Sequence, residues 1–345
     1  MNKVAKYAIA LSIILTILFI SSGCGIMPAK EYVNEINYHC ADWGPQGEKI
    51  YFIKQIIFRE NKKYIGNEVY LCSMNWDGTD KKEITTLWKD TYKPLSSNPD
   101  TSFIDVCRKT AQAAITVDEG DLSQLGLWTI NLDGTNFKRI LYHKWTSDFR
   151  PYFSSPSWFS DGSHIVFEEV WTHTPNFQYY IAKVDKEGKN KAYLTSKEND
   201  GTRNMYPAVS AKGEIAYGSD KGGGLMLMDA DGKNKRSLKK MPTAYPEWNL
   251  DGTKIYVTHV GNFCAIDAKT GEVLFDKFLE LDGDKVIPKK VQWNKHGFLM
   301  SGYLFFSVIK NDLSDTINLR CWAGYIKTGK KRDTSQYQYK WGYKQ

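Results

Sequence analysis

Apolar residues follow two patterns along this chain. One is an unbroken run, "YAIALSIILTILFI", with Lys3 and Lys6 ahead of it and "SSGCG" behind it. The other fills the rest of the sequence. Short stretches of alternating apolar and polar residues are separated by Gly, Asn and Asp at turn positions. A period of two puts alternate side chains on opposite faces of a strand, so this pattern predicts many short strands joined by hairpins.

The strands repeat. A first motif reads "ADWGPQGEKIYFI" at 41–53, "PSWFSDGSHIVFE" at 156–168, "PEWNLDGTKIYVT" at 246–258 and "VQWNKHGFLMSG" at 291–302, each with a Trp four residues before a Gly. "PAVSAKGEIAY" at 207–217 keeps the spacing with Val209 in the Trp slot. A second motif follows each first one: an alternating apolar run, then a tight turn at Gly78, Gly134, Gly188, Gly232, Gly271 or Gly329. "DADG" at 229–232 is such a turn, because position twelve from Asp229 is Lys240, where an EF-hand loop needs a bidentate Glu. The unit "FIDVCRKTAQAAITV" at 103–117 has the strand pattern without the Trp or the Gly. Six units of four strands predict an all-β fold, a six-bladed β-propeller of four-stranded antiparallel blades. Either "EYVNEINYHC" at 31–40 or "QYQYKW" at 336–341 could supply an extra strand that closes the ring. The four recurring tryptophans, Trp43, Trp158, Trp248 and Trp293, are expected between blades.

"SPSWFSDGSHIVF", and "YGSDKGG" followed by "LMLMDADGKNKRSL", resemble the TolB-like propeller repeats over about residues 41 to 330. The resemblance implies architecture and says little about activity. Such propellers serve as binding scaffolds, as gates on peptidases and occasionally as lyases.

The N-terminal run is too short to span a bilayer as a helix, and its flanks read as a cleaved signal peptide over 1–23. Gly23-Cys24 resembles the lipobox of bacterial lipoproteins, with Ser21 where a Leu is usual. Cys24 is therefore the expected lipid attachment site, residues 24–40 a lipid-anchored tether and 41–345 the propeller. The expected location is the surface of a cell membrane or outer membrane, outside the cytoplasm. Without Lys3 and Lys6 the chain has 44 basic and 39 acidic residues, a net charge of +5. That mild, scattered excess does not suggest a nucleic-acid partner. Cys40, Cys72, Cys107, Cys264 and Cys321 are odd in number and form no metal-binding pattern. Any disulfide pairing among them stays open.

In antiparallel four-stranded blades the first and third turns share one face, and these are the tight Gly turns. The second loops and the connections between blades share the other face and are long and varied. Loops held by a rigid scaffold carry function. The expected ligand-facing residues there are Trp145, Asp148, Arg150, Tyr152, Trp171, His173, Arg203, Tyr206 and Tyr245, types that combine large contact area with a polar handle. No nucleophile elbow, HExxH helix or phosphate loop occurs, so no catalytic residue and no cofactor is expected. His143, His173 and His259 fall near the variable face and are the weak candidates for a metal. The resemblance extends to propeller lyases that act on oligogalacturonides through a metal, but their motif does not match this chain residue by residue. The sequence thus favours a monomeric, non-enzymatic scaffold for an envelope protein or peptide. The alternative is an extracytoplasmic glycan lyase or glycan-binding propeller.

Overall fold

The computed structural model describes residues 32–343, apart from 61–62, 90–101, 118–123, 144–150, 174–175, 202, 260–261, 282–283, 287, 295–296, 303–304, 310–315 and 322–338. For some strand residues, His173, Trp293 and Cys321 among them, it describes the backbone alone. The expected signal peptide over 1–23, Cys24, Trp145, Asp148 and Arg150 lie outside the described residues.

The chain folds as successive antiparallel meanders. Blade one contains β1 (Tyr32–Trp43), β2 (Lys49–Glu60), β3 (Lys63–Asn75) and β4 (Lys82–Lys89). Blade two contains β5 (Ser102–Cys107), β6 (Gln112–Val117), β7 (Gly126–Asn131) and β8 (Lys138–Leu141). Blade three contains β9 (Tyr152–Trp158), β10 (His164–His173), β11 (Asn176–Asp185) and β12 (Ala192–Tyr193). A short helix, α1 (Lys197–Asp200), leads into β13 (Asn204–Val209), β14 (Ile215–Ser219), β15 (Gly224–Met228) and β16 (Arg236–Lys239). The next sheet has six strands: β17 (Ala244–Trp248), β18 (Lys254–His259), β19 (Asn262–Asp267), β20 (Val273–Leu281), β21 (Asp284–Val286) and, from the far end of the chain, β26 (Tyr339–Tyr343). The last sheet contains β22 (Pro288–Asn294), β23 (Gly297–Gly302), β24 (Phe305–Ile309) and β25 (Thr316–Cys321).

The expectation of six four-stranded blades is thus met in five sheets and corrected in one. In that one β20 runs on past the blade and pairs with both β21 and β26. The first strands of the sheets touch in order, β1 with β5, β5 with β9, β9 with β13, β13 with β17 and β17 with β22, and β22 returns to β1. These sheets are compatible with a TolB-like β-propeller. Neither terminal segment closes the ring by adding a strand to another blade. Residues 32–40 are the first nine of the twelve residues of β1, the innermost strand of blade one, and 339–343 pair with β20.

The interiors lie between neighbouring blades, as the recurring tryptophans require. Trp43, Trp158 and Trp248 are all buried. Ile165, Phe167, Ala182 and Val184 of blade three pack on Cys107, Ala114 and Leu127 of blade two. First and third turns of one blade are joined by backbone bonds, as from Trp76 N–H to Glu48 O at 3.0 Å and from Lys186 N–H to Ser163 O at 3.1 Å. The tight turns therefore share one face. Gly188 and Gly271 show why glycine recurs there. Both have positive φ, and a Cβ would stand 2.3 Å from a carbonyl oxygen of the preceding blade, Ile140 O and Leu238 O respectively. The "DADG" segment is the expected turn, with Asp229 N–H bonded to Lys233 O at 2.9 Å and Gly232 N–H to Asp229 O at 2.9 Å. Cys40, Cys72, Cys107 and Cys264 are buried, and none of the four is in a disulfide.

Candidate functional site

Four innermost strands carry the same irregularity. Residues 39–40, 155–156, 206–207 and 245–246 each oppose a single residue of the second strand, a bulge that bends the strand and re-aims a side chain. In three of them the first bulged residue has left-handed backbone and precedes a proline: Ser155 (φ 46°), Tyr206 (φ 56°) and Tyr245 (φ 51°). That conformation costs a residue with a Cβ about 1–2 kcal/mol. It recurs at the small Ser155, so the strain belongs to the blade architecture. In two of the blades the strained position carries a tyrosine.

The bulges at 155–156, 206–207 and 245–246 line a recess of about 350 Å³, counting its open mouth, bounded by β5, β9, β13 and β17. Its wall is aromatic. The rings of Tyr206 and Tyr245 lie 4.2 Å apart between centroids, and Phe103 lies 6.4 Å from Tyr245. Asp105 and Glu247 contribute carboxylates. Asp105 also accepts the backbone N–H of Trp158 at 2.7 Å, so it couples the recess to the joint between blades two and three.

Behind Tyr206 lies Glu168 of β10, only 3% exposed. Its Oε2 accepts the Tyr206 N–H at 2.8 Å. Burial pushes the Glu168 carboxyl up to about 8, against the opposing pull of that hydrogen bond. Tyr179 is raised first by its own burial and then by the charge of Glu168, while the Arg203 charge and a hydrogen bond with Tyr152 act the other way. Of the expected ligand-face residues, Tyr206 thus sits directly on an acid that the sequence reading missed, while Tyr152 and Arg203 meet Tyr179. The available signal was "FEEV", two glutamates inside an apolar strand.

The second of them, Glu169, faces the opposite side of the sheet. Its side chain is fully buried, with His143 Nε2 at 2.6 Å from Oε1 and Lys191 Nζ at 2.5 Å from Oε2. Burial works against its charge, but the hydrogen bonds and charges of His143 and Lys191 outweigh it and hold its pKa below the usual glutamate value. The His143 ring stacks on Phe153 at 4.6 Å and meets the edge of Trp171 at 6.1 Å. Trp171 therefore packs in the joint of blades two and three rather than beside Tyr206. His259 contacts Pro242 O at 2.6 Å, in another blade, so His143 and His259 do not converge. Among the described residues no group of three His, Cys, Asp or Glu side chains is placed to hold a metal. The His173 side chain lies outside the described atoms.

No family model matches the sequence. No curated protein matches it either. Among solved structures, the chain is similar to TolB from Acinetobacter baumannii, at 14% identity over 83% of this chain and 79% of that one, with a TM-score of 0.48. It is similar to a putative TolB from Agrobacterium tumefaciens, at 14% identity over 85% and 89%, TM-score 0.42. A calcium-binding protein, regucalcin, also from Agrobacterium tumefaciens, matches at 10% identity over 80% and 83%, TM-score 0.46. The propeller assignment rests on the sheets and the ring of inner-strand contacts rather than on these likenesses.

Proposed function

We propose that this protein is a six-bladed, TolB-like propeller held at a cell-envelope membrane by a lipid on Cys24, and that it acts as a binding scaffold for an envelope protein or peptide. The first four strands of the six-stranded sheet serve as its fifth blade. The observation that carries the binding role is the recess walled by Phe103, Tyr206 and Tyr245 at the inner strands of four blades. Tyrosines fixed by strained backbone present a preformed aromatic surface, and a preformed surface loses little entropy on binding. The lipid anchor is supported by the charged start, apolar run and Gly23-Cys24 of the N-terminus.

The reading is tested in cells by replacing Tyr245 with a photo-crosslinking amino acid in the full-length protein, with Lys233 of a tight turn as comparator. The same pair is then repeated in a Cys24→Ala background. A discrete adduct at 245, absent at 233 and weakened by Cys24→Ala, supports the anchored scaffold. If both positions give the same diffuse products, the binding role is wrong.

A further inference from the structure

Blade one is longer than its neighbours in one direction only. The innermost strands β5, β9, β13, β17 and β22 contain 6, 7, 6, 5 and 7 residues, whereas β1 contains 12. Trp43, Trp158 and Trp248 each end their strand, so the extra residues of β1 lie at its start. They stay paired to the end: Tyr32 is opposite Glu60, and Glu60 opposite Lys63. About five extra residues at ~3.3 Å each make a three-stranded ribbon that runs some 17 Å beyond the starts of the other innermost strands, on the side of the variable loops.

The two faces of the ribbon differ. On one, Gln55, Ile57 and Asn67 are buried. The other bears Ile36 opposite Ile56, with Phe58 beside them. Ile36 is 37% exposed, and Ile65, the bulged residue at the tip, is 51% exposed. Lys63 is exposed next to them. Isolated apolar residues on a surface need no explanation, but these stand together where the N-terminal 31 residues join the fold. An extended chain from Cys24 to Tyr32 spans at most about 28 Å. Whatever holds Cys24 therefore holds the ribbon tip close by.

We infer that the ribbon tip of blade one rests on the membrane surface, with Ile36, Ile65 and Phe58 against the lipid interface, so that the variable loop face looks toward the membrane and the tight-turn face away from it. This rests on the lipid anchor proposed above. Exposed aliphatic and aromatic side chains add their own affinity to that of an acyl chain, and a nearby lysine complements anionic headgroups. A partner in the central recess is then one that reaches it from the same membrane.

The test uses the full-length protein in vesicles of phosphatidylethanolamine and phosphatidylglycerol, with bimane on Ile65→Cys, on Lys63→Cys and, for the far face, on Lys233→Cys, whose lysine side chain is 76% exposed. The four described native cysteines are buried, and burial pushes the Cys72 thiol up to about 12, so the introduced thiols label selectively against a parent blank. Acylation of Cys24 is read separately by incorporation of an alkyne fatty acid. Spin-labelled lipid is expected to quench bimane at 65 and 63 and to leave 233 unchanged. Quenching at 233, or at none of the three while Cys24 is acylated, overturns the orientation and leaves the anchor standing. If Cys24 takes up no fatty acid, the anchor fails on its own. The ribbon contact is then decided by adding vesicles to the purified chain, where unchanged fluorescence at 65 and 63 overturns it.

Discussion

The indole N–H of Trp43 donates to the backbone carbonyl of Gln292 at 3.1 Å, joining the first blade to the last across 249 positions of sequence. Asn294 Nδ2 adds a bond to Gly47 O at 2.9 Å. The ring is closed by these contacts between complete sheets. Trp43→Phe removes the donor to the buried Gln292 carbonyl and some packing, and is expected to lower stability by about 2–3 kcal/mol. Trp158 is the internal control. Its indole nitrogen is buried without a hydrogen-bond partner, so Trp158→Phe should cost distinctly less. Urea titrations of the two variants check the order, and equal losses would remove the closure role of the Trp43 bond.

The residue before the Trp slot latches one blade to the next. Asp42 Oδ2 accepts Val106 N–H at 2.6 Å, Asp105 Oδ2 accepts Trp158 N–H at 2.7 Å, and Ser157 Oγ accepts Val209 N–H at 3.1 Å. Asp105→Ala leaves an inner-strand N–H without its acceptor, at an expected cost of about 1–3 kcal/mol, whereas Asp105→Asn retains an acceptor oxygen and should lose less. Thermal melts of the two variants decide this, since a similar loss in both would mean that the charge matters rather than the bond.

How much of this was legible in the sequence follows from which signals are periodic. Strand alternation, the Trp-to-Gly spacing and the Gly turns repeat, so the blades and their order could be read. The latch could not, because Asp42, Asp105 and Ser157 differ in type and only their common position reveals them. Of the expected ligand-face residues, Tyr206 lies on Glu168, Tyr245 lies on Tyr206, and Tyr152 and Arg203 meet Tyr179. Trp171 instead meets His143, a weak metal candidate that is bound to Glu169. Loop position said which face they approach, but not which side of a blade their side chains take. Of the two extra strands of the fifth sheet, β21 pairs locally, whereas β26 depends on a pairing between residues some 60 positions apart, which no local pattern encodes.

Glu168 makes stability fall as pH rises. Its folded pKa of about 8 lies above the ordinary 4.5, so between these values the folded state holds a proton that the unfolded state has lost. Stability from this group is complete below about pH 4.5 and declines until about pH 8, by a ceiling of roughly 5 kcal/mol. Glu168→Gln preserves an acceptor for Tyr206 N–H and should flatten that slope. Urea midpoints measured at pH 5, 6.5 and 8 would show it, and an unchanged slope in the variant would exclude Glu168 as its source.

His39 acts at the acid end. It is fully buried with its Nε2 3.2 Å from Gln55 Oε1, and burial lowers its pKa from 6.5 to about 4 against the weaker opposing effect of that bond. As pH falls through 6.5 the unfolded chain takes up a proton that the folded chain refuses until about 4. Stability is therefore lost over that window, on the order of 3 kcal/mol. His39→Gln should remove this acid sensitivity while leaving the slope due to Glu168 in place. The two variants thus separate the two limbs of one pH profile, and loss of both limbs in either would show that the groups are coupled.

Tyr245 separates binding from folding. At φ 51° a glycine is relaxed where any residue with a Cβ is strained, so Tyr245→Gly recovers about 1 kcal/mol of backbone strain while losing the ring contacts to Tyr206 and Phe103. Tyr245→Ala loses the same contacts and keeps the strain. The glycine variant should consequently be the more stable of the two by about 1 kcal/mol, and both should lose partner crosslinking at a neighbouring probe such as one at Tyr206. Tyr245→Phe keeps the aromatic wall and should keep most of the crosslinking. If the glycine and alanine variants still crosslink as the parent does, the aromatic wall is only inter-blade packing and the partner must be met elsewhere on the loop face.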